Sequence, residues 1–192
     1  MTRLVVLVSG NGSNLQAMLD ASLPVVAVIA DRPCHGIDRA SRAGVETVVV
    51  TDLAELGDAV GSYAPDWVIL AGFARLLKQP FLDRFRVVNL HPALPGELPG
   101  LRAIERALGE AQAGTRHRSG VMVHLVPDEG IDSGPVLATA EVPMEPTATF
   151  EARMHAAEHD LLVRTVQELS DGGQHMNLRQ QEKTEPTGWS HR

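Results

Sequence analysis

Short apolar runs rich in β-branched residues alternate with stretches of helical spacing, and this alternation constrains the chain more than any other feature. Residues 3–8, 25–30, 45–50, 67–70 and 86–90 are such runs, and helices are expected over 14–21, 36–43, 53–63 and 101–112. Continuous rather than alternating apolar character marks strands buried on both faces. Strands of that kind separated by helices form a sheet covered on both sides, so the expected fold is α/β, with a Rossmann-like, mostly parallel sheet and helices on both faces. Residues 121–126 and 136–142 read as late strands completing the sheet around a polar turn, and 150–169 as a long helix. One domain is expected over 1–169, followed by a polar and mobile tail over 170–192. In open sheets of this type ligands bind outside the carboxyl ends of the strands, which singles out the loops at 9–14, 71–77 and 89–100.

Composition narrows the function classes. Across 192 residues, 17 Lys and Arg stand against 24 Asp and Glu, a formal charge of -7 that argues against a partner tracked through its phosphate backbone. It leaves room for a small anionic ligand held by backbone donors. A single cysteine, Cys34, excludes an internal disulfide and fits a reducing compartment. No apolar run reaches membrane-spanning length, and the short run after Met1-Thr2-Arg3 lacks the form of a signal peptide. A cytoplasmic protein acting on small molecules, with neither nucleic acid nor membrane as partner, is therefore expected.

Three constellations carry chemistry. Gly10-Asn11-Gly12-Ser13-Asn14 follows the first strand and opens a helix. Gly10-x-Gly12, with Asp31 closing the second strand, suggests a dinucleotide site, but Leu15 stands where the third glycine of that fingerprint belongs. Side chains at Ser9, Asn11, Ser13 and Asn14 add donors to the helix-start amides, which suits a terminal phosphate. In Asn89-Leu90-His91-Pro92, Asn89 and His91 point to one side of a strand end. An amide donor beside an imidazole suits an oxyanion and a proton transfer. Asp132, in the tight turn Ile131-Asp132-Ser133-Gly134-Pro135, is placed to meet His91 and to raise its pKa.

Metal readings are weaker. His155-x-x-Glu158-His159 matches the pattern of inverted zinc peptidases, yet three specified positions arise by chance readily, and no further acidic ligand is evident. His91, His124 and Asp132 form a second conceivable set, with His124 read instead as a hydrogen-bonded inner histidine. No metal is expected.

The ordered segments Val8-Ser9-Gly10-Asn11-Gly12-Ser13-Asn14-Leu15-Gln16, Ala71-Gly72-Phe73-Ala74-Arg75-Leu76-Leu77, Asn89-Leu90-His91-Pro92, Gly120–Val126 and Asp132–Pro135 carry a resemblance. The chain resembles the folate-dependent formyltransferases, and its Ser-Gly-x-Gly-Ser-Asn loop resembles their glycinamide ribonucleotide branch. That resemblance implies transfer of a formyl group from 10-formyltetrahydrofolate to the amine of glycinamide ribonucleotide, in purine synthesis, through a tetrahedral intermediate. By matching position, Asn89 and His91 would hold the oxyanion, and Asp132 would keep His91 protonated. Gly10, Asn11, Gly12, Ser13 and Asn14 would cradle the phosphate, and Glu158 would read the ribose hydroxyls. Ala74, Arg75, Leu76, Leu77, Asn89 and Asp128 would contact the folate. The resemblance also implies a monomer or homodimer.

Departures from the family pattern accompany it. Residues 91–96 read His-Pro-Ala-Leu-Pro-Gly where most members have His-Pro-Ser-Leu-Leu-Pro, and the turn from His124 to Asp132 is one residue longer. Ala54 stands where an arginine often meets the folate, which implies weaker cofactor affinity. Rival readings are a formyltetrahydrofolate hydrolase, expected to carry a further N-terminal domain, and a sugar-nucleotide formyltransferase, expected to lack the phosphate loop. A nucleotide-sensing module built on Gly10-x-Gly12 and Asp31 is the non-enzymatic rival.

Overall fold

The computed structural model describes residues 1–172 and shows one seven-stranded sheet. Its strands are β1 (Leu4–Val8), β2 (Val25–Ala30), β3 (Glu46–Val49), β4 (Trp67–Leu70), β5 (Val87–His91), β6 (Arg118–Leu125) and β7 (Val136–Pro143). They lie in the order β3-β2-β1-β4-β5-β6-β7. Pairing is parallel from β3 through β5, and antiparallel between β5 and β6 and between β6 and β7. Helices α1 (Ser13–Asp20), α2 (His35–Arg42), α3 (Leu53–Gly61), α4 (Phe81–Arg84), α5 (Ala103–Gln112) and α6 (Phe150–Ser170) cover it.

The uniform apolar character of β1 is used on both faces. Leu4, Val6 and Val8 enter a core with Leu15 and Met18 of α1 and with Phe150, Met154, Leu162 and Val166 of α6. Val5 and Leu7 enter a separate core on the opposite face, with Leu56 and Val60 of α3 and Phe81 and Leu82 of α4. A one-residue shift of β1 would exchange these faces, so the helices on both sides pin its register. The four-residue α4 is absent from the sequence reading because a single turn shows no helical period. β6 begins at Arg118, earlier than its apolar run, because the hairpin pairs Arg118 with Pro143.

β1 has β2 on one side and β4 on the other, so the chain reverses its direction of progress across the sheet there. Loops leaving β1 and β4 therefore separate and open a crevice. Gly12 begins α1 with φ of 72°, and a Cβ there would lie 2.6 Å from the Gly36 Cα. Only glycine lets the starts of α1 and α2 approach so closely. Among the described residues no helix is long and apolar enough to cross a membrane. The expected tail falls, from residue 173 onward, outside the described residues.

Candidate active site

A cavity of about 390 Å³ opens at the carboxyl ends of β4 and β5. Asn89, His91 and Asp132 line it, as do Ala74, Arg75, Leu76, Leu77 and Asp128. Asn14 and Glu158 also line it. Gly10, Asn11, Gly12 and Ser13 do not; they form the turn at its margin, of which only the following Asn14 reaches the cavity.

Of the expected side-chain donors, Ser9 spends its hydroxyl proton on Asp31, whereas Asn11 is held through its oxygens and keeps its amide N–H groups as donors. Arg39 donates from Nη2 to Asn11 Oδ1 at 3.1 Å and from Nε to the Asn11 carbonyl at 2.8 Å. Ser9 Oγ accepts the Ala74 N–H at 2.8 Å and bonds to Asp31, tying the first loop to the 71–77 loop. The start of α1 has no side-chain cap and no acidic residue in its first turn, so its amides add to the Asn11 N–H donors in attracting an anion. Asp31 is not free to read a ribose, because Arg32 binds its buried carboxylate at 2.6 Å. Burial would raise the Asp31 carboxyl, but the hydrogen bonds from Arg32 and Ser9 outweigh it and hold the pKa below its ordinary value.

Asn89 and His91 project from β5 into the cavity, as their alternation around Leu90 requires. Asn89 Nδ2 donates to Asp132 Oδ1 at 3.0 Å and lies 3.1 Å from His124 Nε2. His124 Nδ1 donates to the Leu125 carbonyl at 2.8 Å, and its Nε2 faces both the Asn89 amide and, at 3.5 Å, Asp132 Oδ1. One Asn89 amide proton is thus held by Asp132 and the other side of the amide faces His124.

Asp132 sits at φ of 50°, a left-handed conformation that Asp and Asn tolerate best among side-chain-bearing residues. Its Oδ2 accepts the Gly100 N–H at 2.7 Å and lies 3.3 Å from His91 Nδ1. Burial alone would raise the Asp132 carboxyl, yet the His124 ring, the Gly100 amide and the facing His91 together hold it below its ordinary value. The other ring nitrogen of His91, Nε2, donates to the Leu98 carbonyl at 3.0 Å.

The expected rise of the His91 pKa is not found. Its side chain is only 5% exposed, and desolvation lowers its pKa below 6.5 despite the opposing pull of Asp132 and the Leu98 carbonyl. His91 is thus neutral at pH 7. The Leu98 carbonyl, which can only accept, places the single ring proton on Nε2. Nδ1, beside a carboxylate, is left without a proton and is the edge of the ring that gains most from receiving one.

On α6, Glu158 is buried and its Oε2 lies 2.7 Å from His155 Nδ1. The carboxylate of the zinc-like string is therefore engaged with its own histidine. Among the described residues no group of three His, Cys, Asp or Glu is arranged to hold a metal ion.

Three contributors escaped sequence reasoning: the Leu98 carbonyl, the Gly100 amide and Arg106, which binds the backbone of the same loop. Pro99-Gly100 signalled a turn, but no sequence signal ties a backbone carbonyl to a particular histidine.

The family model described as formyl transferase matches residues 2–166. A phosphoribosylglycinamide formyltransferase of Dictyostelium discoideum is 36% identical over 201 residues, covering 87% of this chain and 97% of its own length. The protein of that name from Escherichia coli is also 36% identical, covering 88% of this chain and 87% of its own. The crystal structure of glycinamide ribonucleotide transformylase 1 from Symbiobacterium toebii superposes with a TM-score of 0.79 at 33% identity, covering 90% of this chain and 89% of that one.

Proposed function

The chain belongs to the formyl transferase family, and on that premise we propose that it transfers a formyl group to the amine of glycinamide ribonucleotide, a step of purine synthesis. The formyl donor is folate-derived, and 10-formyltetrahydrofolate is the form assigned to it. One observation carries the site assignment: Asn89, His91 and Asp132 meet in a single cleft with the 74–77 loop on one side and Asn14 and Glu158 on another.

The reaction uses these groups in sequence. The ribonucleotide amine attacks the formyl carbon, a C–N bond forms, and the carbonyl electron pair moves onto oxygen. Asn89 stabilises that oxyanion by turning the amide proton that faces His124 to the substrate. The amine's proton passes to His91 Nδ1, where Asp132 stabilises the resulting imidazolium. As the intermediate collapses, the bond to the folate nitrogen breaks, and His91 returns the proton to that nitrogen. His91 thus acts first as base and then as acid, and its lowered pKa keeps it ready for the first role. The uncapped start of α1 attracts the ribonucleotide phosphate, and Glu158 accepts from ribose hydroxyls. Ala74 to Leu77 and Asp128 contact the folate.

Absorbance of the folate product, followed from 10-formyltetrahydrofolate with and without glycinamide ribonucleotide, tests the reading. Turnover only with the ribonucleotide is expected. Equal turnover without it would replace the transferase by a hydrolase, and silence in both would overturn the assignment.

A further inference from the structure

Arg106 stands exposed in α5, and the chemistry above gives it no task. Its Nη2 nevertheless lies 2.6 Å from the Leu98 carbonyl, 2.7 Å from that of Pro99 and 3.5 Å from that of Gly100. The same short segment meets the catalytic pair from its other side. Leu98 accepts from His91 Nε2 at 3.0 Å, and the Gly100 N–H reaches Asp132 Oδ2 at 2.7 Å.

This segment does not hold its shape through regular secondary structure. Leu98 has φ of 44° and Arg102 has φ of 57°, left-handed values that side-chain-bearing residues avoid. Without an external hold the backbone would relax, and the Leu98 carbonyl would leave the imidazole. All three contacts come from one guanidinium nitrogen, whose N–H directions are fixed by the rigid plane of the group, whereas an ammonium on a flexible stem acts as a point charge.

We propose that Arg106 is a positioning residue for formyl transfer: by gripping the Leu98–Gly100 backbone it keeps the His91 proton on Nε2 and leaves Nδ1, beside Asp132, as the nitrogen that accepts the substrate's proton. The inference rests on the transfer reading given above. It also bears on pH. The groups facing His91 are Asp132, His124 and the carbonyls of Leu98 and Glu97, and the Leu98 bond is one of those that raise its pKa. Loosening the segment therefore moves the acidic limb of the pH profile to lower pH.

The experiment compares the full chain with R106A, R106Q and R106K. It measures kcat, the KM for glycinamide ribonucleotide, the pH profile and the ¹⁵N signals of His91 in substrate-free protein, assigned by their loss in H91N. For R106A the expected result is a fall in kcat of about tenfold or more, with KM changed less than about threefold, as a small misplacement of a catalytic group would give. The ¹⁵N signals should pass from one tautomer to a mixture, and millimolar guanidinium should restore part of kcat. R106K should stay nearer R106A than wild type.

An unchanged tautomer, or a kcat that falls only with the folded fraction seen by circular dichroism, would overturn the proposal. If R106A does not fold, R106Q carries the same readouts and decides in the same way. Inactivity of the wild-type chain with the ribonucleotide would instead sink the transferase reading, while the tautomer measurement still judges Arg106.

Discussion

Replacing Asp132 by Asn removes one charge from the site while keeping its shape, and the structure lets the consequence be sized. The backbone there has φ of 50°, which Asn adopts as readily as Asp, so the turn is not strained by the change. The substituted side chain can still accept the Gly100 N–H with its oxygen. What disappears is the Oδ1 acceptor for the Asn89 amide and, as the larger loss, the attraction between a carboxylate and the imidazolium that forms on His91 during turnover, 3.3 Å away. At an effective dielectric constant of about 20, two unit charges at that spacing attract by about 5 kcal/mol. The Asn dipole and water at the cleft replace part of this, which leaves a loss of about 2–3 kcal/mol in the transition state and a fall in kcat of about 30- to 150-fold.

The pH profile supplies a second reading with a definite sign. Asp132 favours the protonated ring, so its loss lowers a His91 pKa that burial already depresses. The acidic limb of kcat, which reports protonation of the base, should move to lower pH even as the plateau drops. Folate absorbance at saturating ribonucleotide, taken across the pH range, measures both. A fall of less than about threefold with an unmoved acidic limb would refute the reasoning and assign the limb to another group.

Three further outcomes are expected. Gly12→Ala places a side chain at φ of 72° with its Cβ 2.6 Å from the Gly36 backbone; it should lower stability in urea by about 2 kcal/mol or more and raise the KM for the ribonucleotide far more than that for the folate. Glu158→Gln keeps the shape but loses a charged acceptor, so the ribonucleotide KM should rise by about tenfold with kcat nearly unchanged in steady-state kinetics. Stability should decline as the pH falls below 6.5, because the unfolded chain protonates His91 before the folded chain does. A second loss should follow as pH falls from 3.8 through the lower folded value of Asp132; urea titrations of H91N should lack the first loss and keep the second.

How much of this could be read from sequence depended on whether a feature announces itself through period or residue type. β1, β2 and β4 were legible because strands buried on both faces must be apolar, and Val5 and Val6 do face opposite cores; the edge strand β3, with Glu46 and Val49 exposed, was legible from its β-branched run. The joint placement of Asn89 and His91 followed from the two-residue repeat of a strand. Asp132 was legible as a partner for His91 through the tight turn that carries it, and the structure sets the two 3.3 Å apart.

Balances and backbone contacts were not legible. The pKa of His91 depends on a contest between desolvation and a carboxylate, and proximity reveals only the second of these. The orientation of Asn11 was not legible because nothing in that loop tells of Arg39, 28 residues away, which takes the Asn11 oxygen and leaves its amide N–H groups as donors. The Leu98 carbonyl is the clearest case, since every residue type has one and side-chain chemistry cannot distinguish it. Its role arises from a left-handed backbone at a leucine, held by an arginine eight residues on and aimed at a histidine seven residues back. Motif matching can therefore supply the titrating groups of this site, but not the device that decides which nitrogen of the histidine is free. In a buried imidazole facing a carboxylate on one edge and a carbonyl on the other, that device sets whether the carboxylate meets a proton or a lone pair. Catalysis here depends on the second arrangement before attack and the first after it.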